Sequence, residues 1–267
     1  RIGIVDTYGG LITSGWMQWV VEQFEFPYTL VYGPELDAGG LNAKYDVLLF
    51  ADGAIPGGGG RYGGGGRGRA LPSAADVPEQ YRKMLGSITE AKTLPQVQAF
   101  VRNGGTAIAI GGSSRLGDYL KLTQDPLVET GKDGKAEPLP AAKFYIPGSI
   151  LSAQVDNKDP LGFGFADTVD VFFDSSRVFK ITAPAGQAKP VSWFQGADPL
   201  RSGWAWGQKA LDGTTGVVDA SYGKGKVFLL GPEVAMRGQS YGAFKFVFNG
   251  LMYGPAAAGK AWPGRGD

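Results

Sequence analysis

Short, almost uninterrupted apolar runs recur along the first half of the chain, and segments with helical spacing separate them. The runs cover residues 1–6, 28–32, 46–50 and 106–110. Continuous apolar runs are typical of parallel strands that are covered on both faces. Because strands and helices alternate, we predict an α/β fold with a doubly wound, mostly parallel sheet.

The expected helices rest on apolar spacing and on capping residues. The first follows a Gly-Gly turn and has Ser14 as its expected N-cap. Two more are expected at about 77–86 and 94–103, the second capped by Thr93. The clearest is the last helix, in which apolar residues recur at i, i+3, i+4 and i+7, namely Phe244, Val247, Phe248 and Leu251.

The second half is richer in short β candidates. Residues 123–200 are expected to form a β-rich excursion, either an antiparallel edge or a small subdomain, and a hairpin turn is expected at 222–225. We predict one domain over residues 1–254, with a flexible Gly-rich loop at 55–76 and a flexible tail at 255–267. The other short strands are expected at 149–155, 169–173, 177–181, 190–194, 215–220 and 226–230.

Composition narrows the possible chemistry. The chain has no histidine and no cysteine, which excludes a Ser–His–Asp triad, a thiolate nucleophile and a His- or Cys-based zinc site within it. We therefore expect no metal or other cofactor in this chain. A net charge of +1 argues against a nucleic-acid partner. No apolar stretch approaches ~20 residues, so no membrane span is expected.

Polar side chains follow several of the expected strands. Asp6, Asp52, Ser113 and Glu233 each come at or just after the end of one. The carboxyl ends of parallel strands meet at one edge, where doubly wound folds bind ligands. We expect a ligand-binding edge there, to which Tyr8, Ser114, Arg115 and Arg237 also belong. The alternative is that these acids are ordinary caps and turn formers.

The turn at residues 111–115 (Gly-Gly-Ser-Ser-Arg) follows a strand and precedes a helix, as a nucleophile elbow does. Ser113 or Ser114 could be the nucleophile only with a lysine or carboxylate base, since the chain has no histidine. The alternative is a turn in which a serine caps the helix.

The chain has six tryptophans, whose positions need an explanation. Trp16 and Trp19 fit a helix face against the sheet, and Trp193, Trp204 and Trp206 cluster in the β-rich half. We expect core packing. The alternative is an exposed aromatic patch for a partner or a sugar.

Several separate motifs carry a resemblance to a known family. The first is the early strand, its Gly-Gly turn and the Ser-Gly-Trp helix that follows. The others are residues 26–28, 45–47, 143–149, 170–174, 200–207, 223–226 and 238–239. Together they resemble the C-terminal region of large secreted bacterial zinc carboxypeptidases of the carboxypeptidase A superfamily.

The resemblance implies a flavodoxin-like, class I glutamine amidotransferase-like domain that follows a peptidase domain. Zinc and carboxypeptidase activity would belong to that implied parent. Amidotransferases carry a cysteine at the turn that Ser113 occupies, and a histidine and a glutamate after a late strand. Here Glu233 is present and the histidine position is Gly231. One interpretation is a site that has lost its catalytic groups or never had them. The other is that Glu233 pairs with Arg237.

Three functional hypotheses follow. The first is a non-catalytic accessory or binding domain of a secreted zinc carboxypeptidase-like protein, located outside the cell or in the periplasm. Its partner would be the parent peptidase domain or copies of itself. The second is a self-assembling extracellular filament or oligomer. The third is a serine-dependent hydrolase at Ser113. The chain enters a strand at Arg1 without an initiator methionine, so we expect a processed or excised piece of a longer protein.

Overall fold

The computed structural model describes residues 1–57 and 71–256. The strands are β1 Ile2–Val5, β2 Tyr28–Val31, β3 Val47–Phe50, β4 Thr106–Ile110, β5 Thr123–Gln124, β6 Val128–Thr130, β7 Ala136–Pro138, β8 Pro147–Val155, β9 Thr168–Asp174, β10 Lys180–Ile181, β11 Ala188–Trp193, β12 Leu200–Ser202, β13 Thr215–Tyr222 and β14 Gly225–Leu230.

Ten of these strands form a central mixed sheet. Nine of them follow the order β12-β8-β11-β13-β14-β4-β3-β1-β2, and the tenth, β9, also pairs with β8. Two two-stranded pairs, β5 with β10 and β6 with β7, lie outside this sheet.

Five strands, β2, β1, β3, β4 and β14, form a continuous parallel unit. Every residue of β3 and β4 is buried, which explains why their sequences are continuous apolar runs. The doubly wound α/β fold predicted from the strand–helix alternation is confirmed.

Helices cover both faces of this unit. α1 and α6 pack on one face, and α2, α4 and α5 pack on the other. The sheet therefore separates two hydrophobic cores. The helices are α1 Ile12–Gln23, α2 Gly33–Asp37, α3 Glu79–Arg82, α4 Thr93–Arg102, α5 Leu116–Tyr119 and α6 Phe244–Tyr253.

The β-rich stretch extends the main sheet. β13 and β14 form the expected hairpin, and β11, β8, β12 and β9 continue from it with antiparallel pairing. Buried and half-buried residues alternate along β8, so one of its faces points to the core. The antiparallel edge was thus the correct alternative for β8, β9, β11 and β12.

Several local expectations were wrong. Helix α1 begins at Ile12 without a side-chain cap, so Ser14 lies inside it. Its hydroxyl instead accepts a hydrogen bond from Gln18 Nε2 (3.2 Å). The helix expected at 77–86 shortens to the four residues of α3, and the strand expected at 177–181 shortens to β10.

The tryptophans also differ from the core expectation. Trp19, Trp204 and Trp206 are exposed, whereas Trp16 and Trp193 are half-buried. Most of the Gly-rich loop expected at 55–76, and all but two residues of the expected tail, lie outside the described residues. Among the described helices, none is long and apolar enough to cross a membrane.

Candidate functional site

The expected convergence of strand ends occurs at the carboxyl edge of the parallel unit. Asp52 follows β3, Gly111 and Gly112 follow β4, and Glu233 follows β14. The main-chain N–H of Gly112 donates to Asp52 Oδ1 (2.6 Å), which joins two adjacent strand ends directly.

Three buried acids meet at this edge: Asp52, Glu233 and Asp174. Asp174 is the last residue of β9. A bridge to β9 places Asp174 near Glu233: the N–H of Glu233 donates to the carbonyl of Phe172 (3.0 Å), two residues before Asp174. Strand-end reasoning missed Asp174, since it considered the acids near parallel strands. The available signal was an acid directly after the strand expected at 169–173.

Burial raises the pKa of Glu233 well above its ordinary value. The negative charges of Asp52 and Asp174, and a hydrogen bond with Asp52, raise it further. These effects favour the protonated form of Glu233, which can donate a hydrogen bond to Asp52. Glu233 is buried whereas Arg237 is exposed, and the pairing expected between them stays a prediction.

Gly111 makes this carboxyl pair possible. Its φ is +55°, and a Cβ there would lie 2.5 Å from Glu233 Oε1 and 2.7 Å from Asp52 Oδ1. Both the backbone conformation and the lack of space exclude a side chain. The two carboxyls thus occupy the space directly above the turn that follows β4.

Both serines of the turn are fully buried. The hydroxyl of Ser113 donates to the carbonyl of Ala51 (2.6 Å) and accepts from the N–H of Ile55 (3.0 Å). That of Ser114 donates to the carbonyl of Gly111 (2.5 Å). Neither hydroxyl caps a helix. Ser113 instead joins the turn after β4 to the loop after β3, so the helix-cap alternative is wrong.

Asp6 holds its own loop closed. Its Oδ1 accepts from the N–H groups of Thr7 (2.8 Å) and Leu11 (2.9 Å), between β1 and α1. Burial raises the pKa of Asp6, and these hydrogen bonds oppose that shift. Tyr8 lies half-buried in the same loop. The alternative of acids as turn formers describes Asp6 well.

Arg115 points away from the carboxyls. Its guanidinium pairs with Glu90 (2.9 Å) and donates to the carbonyl of Pro56. It lines a groove of about 330 Å³ together with Ile88 and Leu94. Arg237 is exposed, with a left-handed φ of 56°. The expected edge therefore divides into a buried carboxyl cluster and a separate groove at Arg115.

The buried acids do not form a metal-binding group. Within residues 1–57 and 71–256, no three Asp or Glu side chains are placed so that they could hold an ion. The expectation about cofactors stays a prediction.

Comparison with known proteins shows the fold. No family model and no curated protein matches the sequence. The structure of PurLQS from Thermotoga maritima is similar, with a TM-score of 0.52 and 15% identity over 95% of this chain and 98% of that one. A protein assigned as a GMP synthase subunit, from Thermoplasma acidophilum, gives a TM-score of 0.51 and 9% identity, over 94% of each chain.

The chain has a class I glutamine amidotransferase-like fold. At these identities the likeness extends to the fold alone.

Proposed function

We propose that this chain is a non-catalytic accessory domain, built on an amidotransferase-like scaffold whose reactive turn has become structural. One observation carries the proposal. The side chains at the turn, Ser113 and Ser114, are buried, and both hydroxyl protons are donated to main-chain carbonyls. A nucleophile needs an accessible oxygen and a base within hydrogen-bond reach.

The neighbouring carboxyls are poorly suited to serve as that base. Burial and the neighbouring carboxyls raise the pKa of Glu233, which favours its protonated form. Asp52 already accepts a hydrogen bond from the N–H of Gly112 and is hydrogen-bonded to Glu233. A general base has to be unprotonated and aimed at the proton that it removes. The acceptor of the Ser113 proton is the carbonyl of Ala51, which is a very weak base. These contacts favour the accessory role over a serine hydrolase.

The biological setting remains part of the proposal. The motifs that resemble secreted zinc carboxypeptidases suggest a peptidase domain as the partner, with copies of this chain as the alternative. In that setting the domain would bind or stabilise its parent outside the cell or in the periplasm.

Turnover assays on the purified chain test the central claim. Ammonia release from glutamine, hydrolysis of p-nitrophenyl esters and labelling by a fluorophosphonate probe are measured for the wild type, Ser113→Ala and Ser114→Ala. We expect background rates and no labelling in all three proteins. Turnover or labelling in the wild type that disappears in one serine variant, with the fold retained by circular dichroism, would refute the proposal.

A further inference from the structure

Three aromatic side chains form an exposed cluster on the antiparallel part of the sheet. Tyr145, Trp204 and Trp206 are 41%, 52% and 53% exposed, and we call them the aromatic platform. Tyr145 and Trp206 pair as in a β-bridge, with N–H···O distances of 2.9 and 3.0 Å in the two directions. The rings of Tyr145 and Trp204 pack edge to face, 5.9 Å apart.

The platform is held rigidly. Trp206 Nε1 donates to the carbonyl of Ala142 (2.7 Å), which fixes the indole and uses its only donor. Ser149 Oγ accepts from the N–H of Trp204 (2.9 Å) and donates to the carbonyl of Trp204 (2.6 Å). The rings therefore offer mainly their apolar faces to solvent, at little further cost in side-chain entropy on binding.

The flanking glycines show that this loop is built for close approach. Gly203 has a φ of +98°, and a Cβ there would lie 2.6 Å from Ser149 Oγ. Gly207 has a φ of +72°, and a Cβ would collide with the carbonyl of Lys143. Only glycine at both positions lets the backbone around the two tryptophans lie close to strand β8 and the segment before it.

Two charged pairs each include a residue within three positions of the platform in the chain, and we call them its border. Lys143 pairs with Glu129, and Arg201 on β12 pairs with Asp170 on β9 (Nε–Oδ1 3.4 Å). Each pair offers a hydrogen-bond donor and an acceptor, and its two charges cancel. Single-stranded nucleic acid also stacks on aromatic rings, but it requires an excess of positive charge along the groove. This balanced border does not provide one.

The exposed area of the platform helps to decide between a protein partner and a smaller, flat ligand. At half exposure, three aromatic side chains offer about 300 Å² of apolar surface. A stable protein interface buries ~800 Å² per partner and needs a packed apolar centre. The platform is too small, and its border too charged, for such an interface. A flat ligand with an apolar C–H face and a hydroxyl rim matches both its size and its chemistry.

We propose that the aromatic platform is a glycan-binding site, which stacks the C–H face of a polysaccharide on Trp204 and Trp206 and bonds its hydroxyls through the bordering side chains. The partly positive C–H groups of a sugar are attracted to the negative faces of aromatic rings. The inference gives the proposed accessory role a ligand class. It uses none of the residues at the carboxyl edge.

Titration with β-1,4-linked oligosaccharides tests this, because their equatorial linkages present flat C–H faces. Cellohexaose and chitohexaose are titrated into the full chain, and binding is followed by calorimetry and by tryptophan fluorescence. We expect saturable binding of at least one of them, weakened at least tenfold in Trp204→Ala and in Trp206→Ala. Trp19→Ala, which removes an exposed tryptophan on α1, is the matched control and should bind as the wild type does.

Each other outcome overturns the glycan assignment. No binding of either oligosaccharide would do so, as would an equal loss in Trp19→Ala. Light scattering tests whether a second copy of the chain binds there instead. A dimer that dissociates in Trp204→Ala would make the platform a protein interface. Trp204→Phe, which keeps an aromatic face, guards against misfolding and should retain part of the affinity. Failure of glycan binding leaves the turnover test unaffected, so the two proposals can fail separately.

Discussion

Replacing Glu233 by glutamine should change how the stability of this protein depends on pH. Glutamine keeps the shape of the protonated carboxyl and can still donate toward Asp52, but it cannot ionise. In the wild type, burial and two neighbouring carboxyls raise the folded-state pKa of Glu233 above its ordinary value of 4.5. The folded protein therefore holds this proton to a higher pH than the unfolded chain does.

The sign of the effect follows from that difference. The stabilisation linked to Glu233 is fully present below pH 4.5 and is lost as the pH rises toward its folded-state pKa. Within that window, one proton changes the free energy of unfolding by at most ~1.4 kcal/mol per pH unit. Glu233→Gln lacks this contribution. Its stability relative to the wild type should therefore increase from pH 5 to pH 8, by up to the same slope.

Urea unfolding at pH 5, 6, 7 and 8, followed by tryptophan fluorescence, measures the difference. The urea dependence of the free energy should be unchanged, so the midpoints report stability directly. Glu79→Gln, at an exposed position, is the control and should track the wild type at every pH. Asp52→Asn removes one of the charges that hold the proton on Glu233 and should also flatten the profile. Parallel profiles for the wild type and Glu233→Gln would show that Glu233 titrates normally, and the account of the carboxyl cluster would be wrong.

Three further predictions concern the turn after β4 and one buried phenol. Gly111→Ala should destabilise the fold by about 1–3 kcal/mol, because the new side chain would combine a positive φ with a collision against two carboxyls. Gly10→Ala is the control: its φ is +77° but the space around it is open, so it should lower the free energy of unfolding clearly less in the same urea assay. Ser113→Ala should cost about 1–3 kcal/mol, since it leaves a buried N–H and a buried C=O without their shared partner, and a loss below ~0.5 kcal/mol would contradict the structural role of this hydroxyl. Burial and a hydrogen bond to Glu35 raise the pKa of Tyr45 to about 12. Glu35→Gln should lower that pKa toward 10, which tyrosinate absorbance would detect; an unchanged alkaline titration would count against the hydrogen bond.

The carboxyl cluster connects three strand ends of the parallel unit. Glu233, Asp52 and the N–H of Gly112 form a hydrogen-bonded link between the ends of β14, β3 and β4. Buried polar groups that satisfy one another fix a single arrangement of the backbone. These contacts join neighbouring strand ends at the edge where doubly wound folds bind ligands.

The sequence alone determined the parallel half of the fold. β3 and β4 are local runs of fully buried residues, so they can be recognised without knowledge of their neighbours. The lack of imidazole and thiol side chains likewise excludes a Ser–His–Asp triad and a thiolate nucleophile from the sequence alone. The rule that parallel strand ends share an edge correctly brought Asp52 and Glu233 together.

Only the tertiary structure decided what those residues do. Whether Ser113 is a nucleophile or a link depends on Ala51 and Ile55, which are about sixty positions away in the chain. The charge state of Glu233 depends on Asp174, which arrives through antiparallel pairing that local patterns do not specify. The exposure of Trp206 depends on its bridge to Tyr145, which is about sixty positions away in the chain. Burial and hydrogen-bond pairing arise from contacts between distant segments, so a local sequence pattern cannot predict them.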